Sequence, residues 1–169
     1  MQTQIYSFHQ QSLIGKKGEL IIDEWIQATY KITDVSDIPQ YQTSGIDRLL
    51  TTPDNSVISA EYKFDVMARR TGNLFFETIS VDRRNIPGWG WSSQADYWFF
   101  LIPEQEILVI KPAAFRALVW QNREKINEKH IPNRGYKTIG YPIKLTAVRG
   151  IAHQVRKLDD PLVFQCSLI

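Results

Sequence analysis

The chain has 169 residues, 43% hydrophobic and 22% charged, with 20 Lys+Arg against 18 Asp+Glu for a formal charge of +2. That length buries a core without staples, and 8 Phe, 7 Tyr and 5 Trp are more apolar bulk than a disordered tail carries. The 9 Gly and 8 Pro follow no period, and the single cysteine, Cys166, excludes an internal disulfide and a Cys-built zinc site. No apolar run approaches the roughly 20 residues that span a bilayer, so no membrane partner is expected. Residues 1–7 lack the basic start and apolar core of a signal peptide. A cytoplasmic, intracellular location is the expectation.

In chain order, residues 12–30 read as a helix, with Leu20, Ile21, Ile22, Trp25 and Ile26 as apolar bulk and Ser12 as a cap. Glu19 and Asp23, four apart, share one face. Residues 33–39 are polar. Residues 41–50 read as a strand, 52–55 (Thr-Pro-Asp-Asn) as a turn and 57–64 as a second strand, so the two make a hairpin. Residues 74–81 read as a third strand and 87–91 (Pro-Gly-Trp-Gly-Trp) as a loop. Two buried strands follow at 96–102 and 107–110, then a helix from Pro112 to about residue 129. Alternation at Tyr141, Ile143 and Leu145 makes the remainder β-leaning, with a turn at Asn133-Arg134-Gly135. No repeat or linker interrupts the chain, so one α/β domain over residues 1–169 is expected.

The near-neutral total conceals a division. Residues 1–110 hold 9 Lys+Arg against 14 Asp+Glu, a net −5, whereas residues 111–157 hold 11 against 2, a net +9. A basic C-terminal segment beside an acidic portion suits a polyanion surface next to a metal-holding site, although a solvated helix face gives the same statistics.

Period-two geometry puts Val57, Ser59, Glu61 and Lys63 on one face of the second strand and Ile58, Ala60, Tyr62 and Phe64, the core set, on the other. Hairpin pairing brings Asp47 opposite Glu61. Two converging carboxylates repel unless a cation lies between them, and oxygen ligands of this kind suit Mg²⁺, with Mn²⁺ as a substitute. Such an ion acidifies a bound water, and the Lys63 ammonium orients that water or stabilises a developing phosphorane. The competing reading is a cross-strand salt-bridge ladder worth under about 1 kcal/mol.

Gly45-Ile46-Asp47 fourteen residues before Glu61-Tyr62-Lys63, with Gly18-Glu19 on the helix upstream, resembles the PD-(D/E)XK nuclease superfamily of restriction endonucleases and junction resolvases. The resemblance covers roughly residues 15–110. It implies a restriction-endonuclease-like fold, a central mixed β-sheet flanked by helices with an αβββαβ core. It also implies Asp47 and Glu61 as metal ligands, Lys63 as the catalytic lysine and Glu19 as the helix carboxylate directed to the metal. Ile46 stands where the name-giving proline would, which leaves the subfamily open.

Glu77, on an apolar strand, is a candidate further ligand, and its alternative is an arginine pair at a sheet edge. Gln94, three residues before Tyr97, resembles the Gln-x-x-x-Tyr motif of RecB-type nucleases with one residue missing and is a candidate accessory to the lysine. Arg69 and Arg70 flank the end of the Glu-x-Lys strand, and Arg116, Arg123, Lys137, Lys144 and Arg149 lie in the basic segment; all are candidate DNA-phosphate contacts. Trp89 and Trp91 either stack on bases or cap the core. His9, His130 and His153 have no metal-ligand spacing.

The sequence therefore points to a Mg²⁺-dependent DNA endonuclease that works as a homodimer or higher symmetric assembly, because cutting two strands needs two sites. Its alternative is a non-catalytic nucleic-acid-binding module on the same fold.

Overall fold

Alternation in two apolar runs organises the molecule. The structure, a computed structural model, describes residues 8–158. Helix α1 (Phe8–Ile26) is followed by β1 (Lys31–Asp34), a short α2 (Pro39–Thr43), β2 (Arg48–Thr51) and β3 (Val57–Phe64). Then come α3 (Ala68–Thr71), β4 (Asn73–Val81), a 3-10 turn (Asp82–Arg84), β5 (Ile86–Pro87) and α4 (Trp89–Ser92). The chain continues through β6 (Tyr97–Ile102), β7 (Glu106–Ile110), α5 (Pro112–Asn122), β8 (Lys129–Pro132), β9 (Lys137–Lys144), α6 (Leu145–Ile151) and β10 (Gln154–Lys157).

The fold is mixed α/β. A six-stranded sheet runs β1-β2-β3-β6-β7-β10, and a four-stranded sheet runs β5-β4-β9-β8. β3 and β6 are parallel, and every other pairing is antiparallel. Every residue of β6 and β7 is buried, as a strand covered on both faces requires. Tyr97, Phe99, Leu101, Ile107 and Val109 pack under α1 against Ile22, Trp25 and Ile26. Trp98, Phe100, Ile102, Leu108 and Ile110 face the other way, onto Leu74, Phe76 and Ile143 of the second sheet and Phe115 of α5. Each such buried side chain contributes about 1.5–3 kcal/mol.

Several elements differ from expectation for physical reasons. α1 is already helical at Phe8, so Ser12 lies inside it. Residues 41–43 are helical, not extended, because Pro39 starts α2 at its first position and Ile38 is extended before it. β1, whose second half falls in the stretch read as polar, is an edge strand whose exposure hides any alternation. Residues 74–81 do form a strand, but it leaves the first sheet. Parallel strands need a long crossover, and here residues 65–96 supply it, with β4 pairing to β9 as the second layer. α5 ends at Asn122, short of residue 129, and α6 interrupts the β-leaning tail.

No helix among the described residues is long and apolar enough to cross a membrane. Cys166 lies outside the described residues.

One buried acid tests the packing of the sheet edge. Glu106 at the start of β7 is fully buried and bonds Arg149 of α6, with Nε at 2.7 Å, and Lys157 of β10. Burial raises its pKa, but Arg149 and Lys157 together outweigh that and hold the carboxyl below its ordinary value. Its stabilisation is complete above the unfolded value near 4.5 and disappears as pH falls through the lower folded value. Glu106→Gln is expected to cost about 3 kcal/mol at pH 7 in urea unfolding, with the gap to wild type narrowing below about pH 4.

Candidate active site

β3 carries the site because it is central, straddling both cores. Ala60 and Tyr62 point to the α1 side, so Glu61 and Lys63 fall on the face toward the second sheet. Glu61 is only 3% exposed, and its Oε1 pairs with the Lys63 ammonium. Its Oε2 is buried without a hydrogen bond. Burial raises the Glu61 pKa, opposed by the Lys63 charge.

Asp47 stands immediately before β2. Its N–H donates to the Ala60 carbonyl at 2.9 Å, and its Oδ2 accepts the Tyr62 N–H at 2.7 Å. Continuing the Arg48↔Ala60 register by one residue brings it beside Glu61, as hairpin pairing implies. The turn into it requires Gly45, whose φ is +62°. A Cβ there would lie 3.3 Å from Glu61 Oε2 and 3.2 Å from Ser93, so a side chain would intrude on the free carboxylate oxygen.

Glu19 reaches the site from α1 through an intermediary that sequence reasoning missed. Arg48, buried on β2, donates to Glu19 Oε2 at 2.8 Å, to Asp23 Oδ2 at 3.2 Å and to Asp34 Oδ1 at 2.8 Å. Burial disfavours its charge, yet Asp23, Glu19 and Asp34 hold it more firmly protonated than a free arginine. The Tyr62 hydroxyl completes the cluster by donating to Asp23 Oδ1 at 2.9 Å. The available signal was the Glu19/Asp23 pair on one helix face, which calls for a cation opposite. Burial raises the Glu19 pKa despite Arg48, and Asp47 adds to the rise. Glu19 and Lys63 line one small crevice of about 40 Å³ beside Gly15 and Gly18.

Glu77 comes from β4, on the opposite sheet. Burial raises its pKa, the Lys63 charge and the Trp89 N–H oppose this, and Glu61 adds repulsion. Lys63 Nζ lies 5.5 Å from the centre of the Trp89 ring. Trp89 itself caps the core, edge-on to Trp98 at 5.1 Å, while Trp91 touches Phe76 but remains 43% exposed.

Three carboxylates, Asp47, Glu61 and Glu77, thus lie near two cations, Lys63 and, at longer range, Arg116, while Glu19 is held by Arg48 on the α1 side of the sheet. That excess of negative charge, together with the orphaned Glu61 Oε2, fits a hard divalent cation. Among the described residues no three His, Cys, Asp or Glu side chains converge on one metal position. Mg²⁺ commonly takes one or two protein carboxylates and fills its remaining positions with water and substrate phosphate.

The other candidates are dispersed. The Gln94 N–H bonds the Ser44 carbonyl at 2.8 Å, near Gly45, and its residue is exposed. Arg69 and Arg70 sit on α3, where Arg69 pairs with Glu104. Arg116 is a strut: it donates to the Gly90 carbonyl at 2.7 Å and the Ser93 carbonyl at 2.6 Å, under Trp98. Arg123 stacks 3.9 Å over Trp120, and Arg149 is engaged by Glu106. Lys137 and Lys144, at the two ends of β9, are exposed. His130 pairs with Glu128, and His153 packs on Tyr97.

No family model matches the chain, and neither a curated protein nor a solved structure gives a significant match.

Two variants test these electrostatics. Glu61→Gln removes a charge whose burial cost exceeds its pairing, so it should raise Tm by ~3 °C at pH 7, about 1 kcal/mol; a lowered Tm in calorimetry would mean the Lys63 pair dominates. Arg48→Met strands Glu19 and Asp23 and is expected to lower urea stability by about 3 kcal/mol.

Proposed function

We propose that this chain is a metal-dependent deoxyribonuclease with a restriction-endonuclease-like core, hydrolysing phosphodiesters with an activated water. The observation that carries the reading is Glu61 Oε2, a buried carboxylate oxygen without a partner, held between Asp47 and Lys63 on a rigid central strand. Topology supports it: α1, the antiparallel β1-β2-β3 meander and then β6 parallel to β3 follow the order that the αβββαβ resemblance implies. The departure is that the crossover contributes two strands, β4 and β5, to a second sheet as well as short helices.

Asp47 and Glu61 would hold Mg²⁺, with Glu19 and Glu77 at its periphery. When bound, the ion supplies an acidified water and offsets charge on the scissile phosphate. Lys63 is tied to Glu61 at rest and is partly exposed. With substrate bound, its ammonium turns toward the phosphate and stabilises the charge that develops on attack. The aromatic wall of Trp89, Trp98 and Phe76 keeps this side of the site dry, which strengthens each of these interactions. A homodimer would supply the second active site for double-strand cleavage.

The test uses supercoiled plasmid and a four-way junction with Mg²⁺, with and without EDTA. Wild type is expected to cleave only with metal, and Glu61→Ala and Lys63→Ala to lose about 10²–10³-fold in rate. Binding without cleavage across these substrates would instead favour the non-catalytic nucleic-acid-binding module.

A further inference from the structure

The second sheet does more than cover the core. All four residues of β8 are exposed, as are residues 133–136 of the turn and Lys137. β8 and β9 pair from Lys129↔Gly140 to Pro132↔Lys137, and the Asn133 N–H closes the turn on the Tyr136 carbonyl at 2.8 Å. The result is a two-stranded ribbon whose outer half packs against no further layer.

Its chemistry is one-sided. From Lys129 to Leu158 the chain contains no Asp or Glu. The neighbouring 3-10 turn adds exposed Arg83 and Arg84. The acid at this end, Asp82, spends its Oδ1 on the backbone N–H groups of Lys137 and Arg83, at 2.9 and 2.8 Å. It thereby fixes the ribbon to the turn, and its single charge, which faces Lys137 and Arg83, stands against four cations, Arg83, Arg84, Arg134 and Lys137. Ile131 at 44% and Tyr136 at 38% exposure place apolar surface among these cations. Guarding an edge strand needs charge or proline but not exposed Ile and Tyr. Cations with interspersed apolar groups match a groove lined by phosphates and floored by base edges and thymine methyls.

We propose that the β8–β9 ribbon enters the major groove of duplex DNA, with Arg134 on base edges and Arg83, Arg84 and Lys137 on the flanking phosphates. A groove about 12 Å wide admits such a ribbon. Its place relative to the cut follows from register. Gly140, at the ribbon's base, pairs with Glu77 of the candidate active site. Arg134 lies in the turn beyond Tyr136, four strand residues and a turn further along, roughly 15 Å at about 3.3 Å per residue. At about 3.4 Å per base pair, it contacts the duplex roughly four to five base pairs from the scissile phosphate. That distance rests on the nuclease reading, whereas groove binding by the ribbon does not.

The experiment measures anisotropy of a labelled 30-base-pair duplex in EDTA, where no metal-dependent cleavage occurs. Arg134→Ala/Lys137→Ala is compared with Lys16→Ala/Lys31→Ala, which removes equal charge from exposed positions off the second sheet. The ribbon variant should weaken binding at least about 10-fold and lower the log Kd–log salt slope by about 2, with an unchanged Tm because both side chains are exposed. The control should change affinity less than about twofold. A duplex whose cytosines carry glucosylated hydroxymethyl groups, which fill the major groove, should bind wild type poorly and leave the ribbon variant's weak binding unchanged. Equal losses in the two variants, or full wild-type affinity for the glucosylated duplex, would overturn the proposal. So would the absence of any wild-type binding. Ribbon-dependent binding by a protein that never cleaves with Mg²⁺ would leave the ribbon standing and remove the nuclease reading.

Discussion

A carboxylate in the middle strand of a two-faced sheet is the constraint around which this molecule is arranged. A buried charge without compensation costs several kcal/mol, and Glu61 is compensated on one oxygen only. Its surroundings are organised to keep the other oxygen free. Gly45 withholds a side chain, the Ser93 hydroxyl accepts the Trp98 indole N–H at 2.8 Å and donates its own proton to the Gly45 carbonyl at 3.3 Å, and Asp47 is locked to the β3 backbone. Such an arrangement lowers stability, which is how functional sites commonly depart from the rules that govern the rest of a fold.

The two sheets matter for the same reason. Had the crossover from β3 to β6 been a single helix, the face bearing Lys63 would have met one apolar stripe. Instead β4 and α4 bring Glu77 and Trp89 against it, so the lysine lies among two carboxylates and an indole. On the opposite face Arg48 ties α1 to the sheet and keeps Glu19 at the end of β2. Neighbouring positions, Asp47 and Arg48, thus serve opposite sides of one strand, the first at the site and the second as its brace.

Much of this was legible in the sequence where a local period decides the outcome. β3 begins and ends where its alternation does, β6 and β7 announce themselves as unbroken apolar runs, and the Glu61/Lys63 pair follows from a period of two. The hairpin that brings Asp47 to Glu61 was legible too, although its first strand is only Arg48–Thr51. What was hidden depends on tertiary partners. Nothing near residues 74–81 says that β9, more than fifty residues later, is their neighbour. Arg116 reads as a free cation until Gly90 and Ser93 fold back beneath it, and Arg48 reads as ordinary until α1 supplies two of its three carboxylates. β1 is too short and too exposed to carry a pattern at all.

The central claim is that Glu61 Oε2 awaits a hard cation shared with Asp47. Calorimetric titration of Mn²⁺ into the metal-free protein tests it most directly, without substrate or turnover. The account predicts saturable binding by wild type that is lost or weakened at least about tenfold in both Glu61→Gln and Asp47→Asn while each variant remains folded. Undiminished binding in either variant, or none in the wild type, would contradict it.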